Sequence, residues 1–180
     1  MSWTDQHPDM AGAFDAVSSA TSVDPKLFRE AMSRLGAAVH VITTDGPAGR
    51  TGFTATAVCS VSDTPSTLLV CLNRGSGSSP ILRTNGVFCV NTLRAGDEIV
   101  ADTFAGRTKV SREARFDTGQ WKKLATGAPA LMSAVVAFDC HISEVKAVAS
   151  HDIIFGVVQA VHSGPAGEAL VYHDRLYKKL

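Results

Sequence analysis

The sequence predicts a mainly β protein, an antiparallel barrel of Greek-key-like order, closed or partly closed, with two or three short helices at its periphery. Three observations predict it. About six or seven runs rich in β-branched and apolar residues recur between Ala37 and Tyr172, punctuated by Gly, Pro, Asn and Asp. Most connections between these runs are too short for a crossover helix, so neighbouring runs are expected to pair antiparallel. The helical stretches are brief, and no strand–helix–strand alternation appears.

Composition sets the outer bounds. The 180 residues suit one ordinary domain, and 45% hydrophobic with 19% charged residues fits a globular chain with a real core. Seventeen basic and 17 acidic residues give a net charge of +0, so the basic excess of a nucleic-acid binder is missing. No apolar run is long enough to span a bilayer, and the opening MSWTDQHPDM is acidic and polar, unlike a secretory leader. Residues 1–23 are dominated by Ser, Ala, Asp and Thr with no repeating apolar face, and a disordered tail is expected there, followed by one domain over 24–180. The cysteines at 59, 71, 89 and 140 form no CxxC pair and stand at no zinc-ligand spacing with histidine, so no metal site is expected. Cys59, Cys71 and Cys89 fall in apolar runs and read as buried free thiols, which favours a reducing cytoplasm.

The elements follow in order. Asp24-Pro25 is an N-cap followed by a proline suited to the first helical turn, and Leu27, Phe28, Ala31, Met32 and Leu35 mark one helical face that ends at Gly36. Ala37 to Thr44 is a strand, with a turn at Asp45-Gly46-Pro47. The chain returns through Thr51 to Ser62, breaks at Asp63-Thr64-Pro65, and runs back through Thr67 to Leu72. Ser79 to Thr84 forms a short helix, Val87 to Leu93 the next strand, and Gly96 to Phe104 a second short helix. Residues 105–127 are a polar excursion anchored by Phe116 and Trp121; long excursions of this kind often cover a site. Leu131 to Val148, His151 to Val161 and Ala169 to Tyr172 are the remaining strands, and the end, HDRLYKKL, is basic and aromatic.

The chain is organised around residues 52–80. Gly52 to Thr56 are small or hydroxylated, which lets a flat ligand lie close to the backbone and offers N–H and C=O groups along a polar edge. Asn73 to Pro80 is a Ser/Gly loop whose Arg74, hydroxyls and amides suit a phosphate, a helix start adding about 0.3–1 kcal/mol. It is neither a Walker loop nor a GxGxxG turn, because the required Gly-Lys-Ser/Thr or strand–turn–helix context is missing. His151-Asp152 offers a hydrogen-bond donor to a nicotinamide or its phosphates, with the aspartate placed to fix the tautomer, or else is a turn histidine exposed to water. The terminal Arg175, Tyr177, Lys178 and Lys179 read either as a solvated face or as a cover over the ligand or a neighbouring subunit. No GxSxG elbow surrounds the serines, which is compatible with chemistry carried by cofactors.

These blocks, from Leu35 through Leu93 together with FAG at 104–106, ISEV at 142–145, HDIIFG at 151–156 and the terminal DRLY, resemble the short-chain flavin reductases, the reductase components of two-component flavin-dependent monooxygenases. The likeness spans roughly residues 24–180 and is nearest the subgroup of pyrimidine-degradation flavin reductases and cobyrinate cobalt reductases. It implies an FMN-binding split β-barrel, a homodimer, reduction of FMN or FAD by NADH or NADPH, and a monooxygenase that receives reduced flavin. It further implies that Thr54, Ala55 and Thr56 line the flavin ring. Asn73, Arg74, Ser76, Ser78 and Ser79 would hold the ribityl chain and phosphate. Asn91 and Phe104 would approach the flavin, and His151 would face the nicotinamide. Pro65-Ser66 departs from the expected double proline at a turn. The rival readings are reduction of another acceptor such as a corrin cobalt, an FMN-binding oxidase or electron-transfer barrel, and a non-catalytic binding module.

Overall fold

Seven antiparallel strands carry the structure, a computed structural model that describes residues 23–180. The expected tail over 1–23 therefore lies, Val23 excepted, outside the described residues. Helix α1 (Pro25–Ser33) forms as its sequence predicts: the Asp24 carboxylate accepts hydrogen bonds from the Lys26 and Leu27 amides at 2.7 and 3.0 Å. It belongs to a compact unit ending at Leu35, separate from the one that runs from Gly36 to Leu180.

In the second unit β1 is Ala37–Ala38, β2 His40–Thr44, β3 Thr51–Ala55, β4 Val58–Asp63 and β5 Ser66–Asn73. Helix α2 (Ser79–Asn85) leads to β6 (Val87–Thr92), and α3 (Glu98–Phe104) to a 3-10 turn at Ala114–Asp117. Then come β7 (Trp121–Lys123), β8 (Pro129–Leu131), β9 (Val136–Val148), β10 (His151–Ser163), β11 (Leu170–His173) and β12 (Leu176–Lys179). The main sheet runs β3-β2-β6-β9-β10-β5-β4, with every pairing antiparallel.

The order contains its own proof of curvature. β3 and β4 are consecutive in the chain yet occupy opposite edges of the sheet, joined by Thr56 and Ala57 alone. Six strand spacings would put the edges of a flat sheet roughly 29 Å apart, whereas the chain from Ala55 to Val58 reaches at most about 11 Å. The sheet must therefore roll until its edges meet. β3 comes against β5 without forming a ladder with it, which leaves the barrel split along that seam. Register shifts at Phe155/Gly156 and Val158/Ala160 bend the long β9–β10 hairpin to follow the roll.

Alternation places the cores. Ile42, Val70, Phe88, Val90 and Ile154 fill the barrel with Leu82 of α2, while Val39, Val41, Leu93, Phe104 and Leu131 pack in a second cluster with Phe116. β2 is buried along its whole length and β6 up to Thr92, which is why both read as continuous apolar runs. Gly156 is required by this packing: a Cβ there would stand 2.4 Å from Phe88 Cζ and 2.9 Å from Cys140 Cβ.

Several expectations change. Thr51 to Ser62 is two strands on opposite edges, and the Leu131 to Val148 run is the end of β8 plus β9. The basic aromatic end forms β12, hairpinned to β11 through Asp174 and Arg175 at φ 51° and 61°, the left-handed pair of a two-residue turn. Cys89 and Cys140 are buried free thiols, but Cys59 is exposed on the edge strand β4 and Cys71 is half-buried on β5.

His40 is buried with its Nδ1 3.0 Å from Thr92 Oγ1, and burial pulls its imidazole from 6.5 down to about 4. The unfolded chain thus binds a proton near pH 6.5 that the folded protein refuses until near pH 4. Stability from this group is complete above pH 6.5 and lost as pH falls through that window, by up to about 3 kcal/mol. Urea unfolding at pH 7 and pH 4.5 should show a smaller acid loss for His40→Gln than for the parent. Gly156→Ala should lower unfolding free energy at pH 7 by about 1–3 kcal/mol in the same assay.

Candidate functional site

The split in the barrel opens into a cleft of about 500 Å³. One wall is the seam itself, Phe53 to Ala57. The facing wall is the end of β5 (Cys71, Leu72, Asn73) with Ser76 and Ser78 of the following loop. Phe104, Ala105 and Gly106 at the end of α3 supply the floor, Arg115 enters from the 3-10 turn, and His151 stands at the start of β10. His151 is brought there by register, since it pairs directly with Asn73.

Each wall is fixed by specific contacts. Thr54 Oγ1 donates to the Ala101 carbonyl at 2.6 Å, tying β3 to α3. Phe104 packs edge-on against Phe116 at 5.1 Å and against Trp121 at 5.4 Å, so the two expected anchors of the 105–127 excursion hold a cleft residue in place. Gly52 lets the Phe104 ring lie on the β3 backbone: a Cβ there would be 2.7 Å from the ring and 2.8 Å from the Ile42 carbonyl.

The Ser/Gly loop is tightly self-bonded. The Gly75 amide donates to Asn73 Oδ1 at 2.8 Å, the Ser76 amide to the Asn73 carbonyl at 3.0 Å, and the Ser78 amide to Ser76 Oγ at 3.3 Å. Ser78 Oγ lies 3.0 Å from Thr51 Oγ1.

Of the residues singled out in the sequence, Thr54, Ala55, Thr56, Asn73, Ser76, Ser78, Phe104 and His151 come together on the cleft. Three do not. The Arg74 guanidinium donates to the Ala149 carbonyl across the β9–β10 turn. Ser79 is buried, and its hydroxyl donates to Asp152 Oδ2 at 3.4 Å. Asn91 is fully buried between β2, β6 and β8, donating to the Val41 carbonyl at 2.9 Å and accepting from the Leu131 amide at 2.7 Å. Asp152 does not orient His151 either. It is buried beneath α2, 3.5 Å from Arg83 Nη1, while His151 Nδ1 lies 2.9 Å from Ser150 Oγ.

Sequence reasoning missed Arg115. Its Nη1 donates to the Gly52 carbonyl at 3.3 Å, and its Nε is buried with no partner. A lone arginine in a polar excursion carries no signal of this; the fold alone brings it to the seam. A smaller hollow of about 220 Å³ adjoins the cleft, sharing Thr54, Ala55, Thr56 and Ala105 and bounded by Tyr172, Tyr177 and Arg107. Tyr177 donates to Asp102 Oδ1 at 2.9 Å, and burial with this bond pushes its phenol up to about 12. The aromatic end of the chain is thus a wall beside the cleft.

Among the described residues no His, Cys, Asp and Glu side chains gather as a metal site, and no helix is long and apolar enough to cross a membrane. Asn91→Ala should cost about 2–4 kcal/mol in urea unfolding, because the Val41 carbonyl and Leu131 amide both lose their partner in a buried site.

A family model described as a flavin reductase like domain matches residues 32–180. A curated relative from Methylorubrum extorquens, FMN reductase (NADH) RutF 1, is 54% identical over 166 residues, covering 92% of this chain and 82% of its own. Among solved structures, BorF, the flavin reductase component of a bacterial two-component tryptophan halogenase, superposes with a TM-score of 0.81 at 29% identity, over 87% of this chain and 98% of its own. The Streptomyces globisporus NADH:FAD oxidoreductase SgcE6, solved in complex with NAD and FAD fragments, gives 0.79 at 28% identity, over 89% and 97%. With the barrel, its seam and the matched span in agreement, this chain belongs to the flavin reductase-like family.

Proposed function

We propose that this chain is an NAD(P)H-dependent flavin reductase that holds FMN or FAD in the seam cleft and delivers reduced flavin to a separate monooxygenase. The cleft carries the reading: about 500 Å³ lies between an apolar, small-residue wall and a serine-bearing loop, inside the range of nucleotide-sized pockets. The residues present fit a flavin. Phe53, Ala55, Ala57, Leu72 and Phe104 offer apolar surface to a tricyclic ring, and the unpartnered Arg115 Nε is a donor awaiting an acceptor. The names of the relatives favour FMN and NADH as the working pair.

A bound flavin supplies the hydride acceptor and a nicotinamide the donor; the protein contributes geometry. Phe53 and Phe104 shield one side of the cleft from water. Arg115 sets a fixed positive charge in its wall, which favours the more electron-rich state of any ring placed there. His151, its Nδ1 occupied by Ser150, presents Nε2 at the exposed mouth to orient the nicotinamide.

The edge strand β4, with Val61 47% exposed, supports a homodimer across that face. Cys59, Cys71, Cys89 and Cys140, all unpaired, support a cytoplasmic setting.

Purified protein mixed with NADH and FMN should consume NADH in a flavin-dependent manner; no such consumption with either nicotinamide would remove the reading. His151→Ala should lower kcat/KM for NADH by about tenfold to a hundredfold while flavin Kd stays within about twofold. Gly52→Ala, by displacing the Phe104 ring, should raise flavin Kd about tenfold, read by fluorescence quenching.

A further inference from the structure

A separate hollow of about 280 Å³ shares no residue with the seam cleft. Its floor is apolar: Leu68 and Val90 belong to the barrel core, and Val58, Phe138 and Val158 pack against that core. Exposed Ser60, Asp63 and Ser66, from β4 and β5, lie around it.

One polar ring is set deep in this space. His40 stands two residues from Ile42 on β2, so strand alternation turns both side chains toward the barrel interior. The residue is only 9% exposed, and its Nδ1 is engaged with Thr92 Oγ1 at 3.0 Å. Its Nε2 has no hydrogen-bond partner among the described residues, yet it is not one of the sealed polar atoms. It therefore has open space beside it, and this hollow is the one that His40 lines.

The surroundings define what fits there. Burial pulls the imidazole down to about 4, so the ring is neutral near pH 7. Among the described residues no Lys or Arg lines the hollow, and Asp63 is its one charged residue, so an anion would meet no counter-charge. A cavity of about 150 Å³ lined by apolar side chains already accepts benzene, so the space here suits one ring and a polar substituent. Thr92 Oγ1 either donates to Nδ1 or accepts from it, which leaves Nε2 as donor or acceptor in turn; a hydroxyl on the ligand answers either tautomer.

We propose that this hollow is a second ligand site, for an uncharged single-ring molecule whose hydroxyl pairs with His40 Nε2. The site does not depend on a flavin in the cleft. It does back onto the cleft wall, since Val58 follows Ala57 and His40 pairs with Ala55 across the β2–β3 ladder.

Phenol is the probe, titrated into the full chain with and without saturating FMN and followed by NMR of the His40 ring and the Val90 and Val158 methyls. Phenol should shift these signals whether or not FMN is present, and toluene should bind about tenfold more weakly because it leaves Nε2 unpaired. His40→Leu should bring phenol and toluene to within about twofold of each other. Ser60→Trp, at an exposed position on the edge strand, should fill the hollow and weaken phenol at least about tenfold while FMN binding stays within about twofold; thermal melts check that both variants fold. Signals that phenol leaves unmoved, toluene binding as tightly as phenol to the parent, displacement of phenol by FMN, or parent-like binding by Ser60→Trp would each overturn the site. So would binding that appears only on dilution, which would mark the hollow as covered by a second copy of the chain.

Discussion

Everything in the second unit depends on the brevity of the link between β3 and β4. Two residues join strands that stand at opposite edges of a seven-stranded sheet, and the sheet has no choice but to roll. The same link explains why the barrel does not close. β5 already pairs with β10 on one side and with β4 on the other, so β3 touches it without forming a ladder and a seam remains. The cleft is that seam, and its small-residue wall is the link and the strand that feeds it.

Charge is distributed to suit such a site. The chain as a whole is neutral, so no broad field attracts an anion, and selectivity has to come from individual groups. Most arginines near the cleft are already committed: Arg83 to Asp152, Arg107 to Asp102, Arg74 to a carbonyl. Arg115, whose Nε has no partner, comes from a short segment that Phe116 holds by packing edge-on against Phe104.

Much of this was legible in the sequence, for physical reasons that differ by element. The α1 cap, the two short helices and the strands at β2, β5, β6 and β10 are written in local chemistry: capping groups, turn residues, runs buried on both faces. Thr54 to Thr56, Asn73, Ser76 and Phe104 were found on the cleft because their residue types and the family likeness converge there. Asn91 shows the limit. The family likeness implies a flavin contact for it, but the atoms it satisfies are backbone groups on β2 and β8, 50 and 40 residues away in sequence. Arg115 shows the converse, since nothing local distinguishes an arginine that folds back onto a seam from one that faces water. The separation of β3 from β4 was equally hidden, because strand order is a property of pairing across the whole chain.

The open face of β4 carries one more consequence. Cys59 lies on an edge strand with its thiol accessible, beside a backbone row that has no strand partner among the described residues. In aerated buffer two molecules meeting along that row can oxidise into a covalent pair whose apparent mass would mimic a native assembly. Sizing experiments on this protein therefore need a thiol reductant throughout, or a serine in place of that cysteine, before any doubled mass is taken as biology.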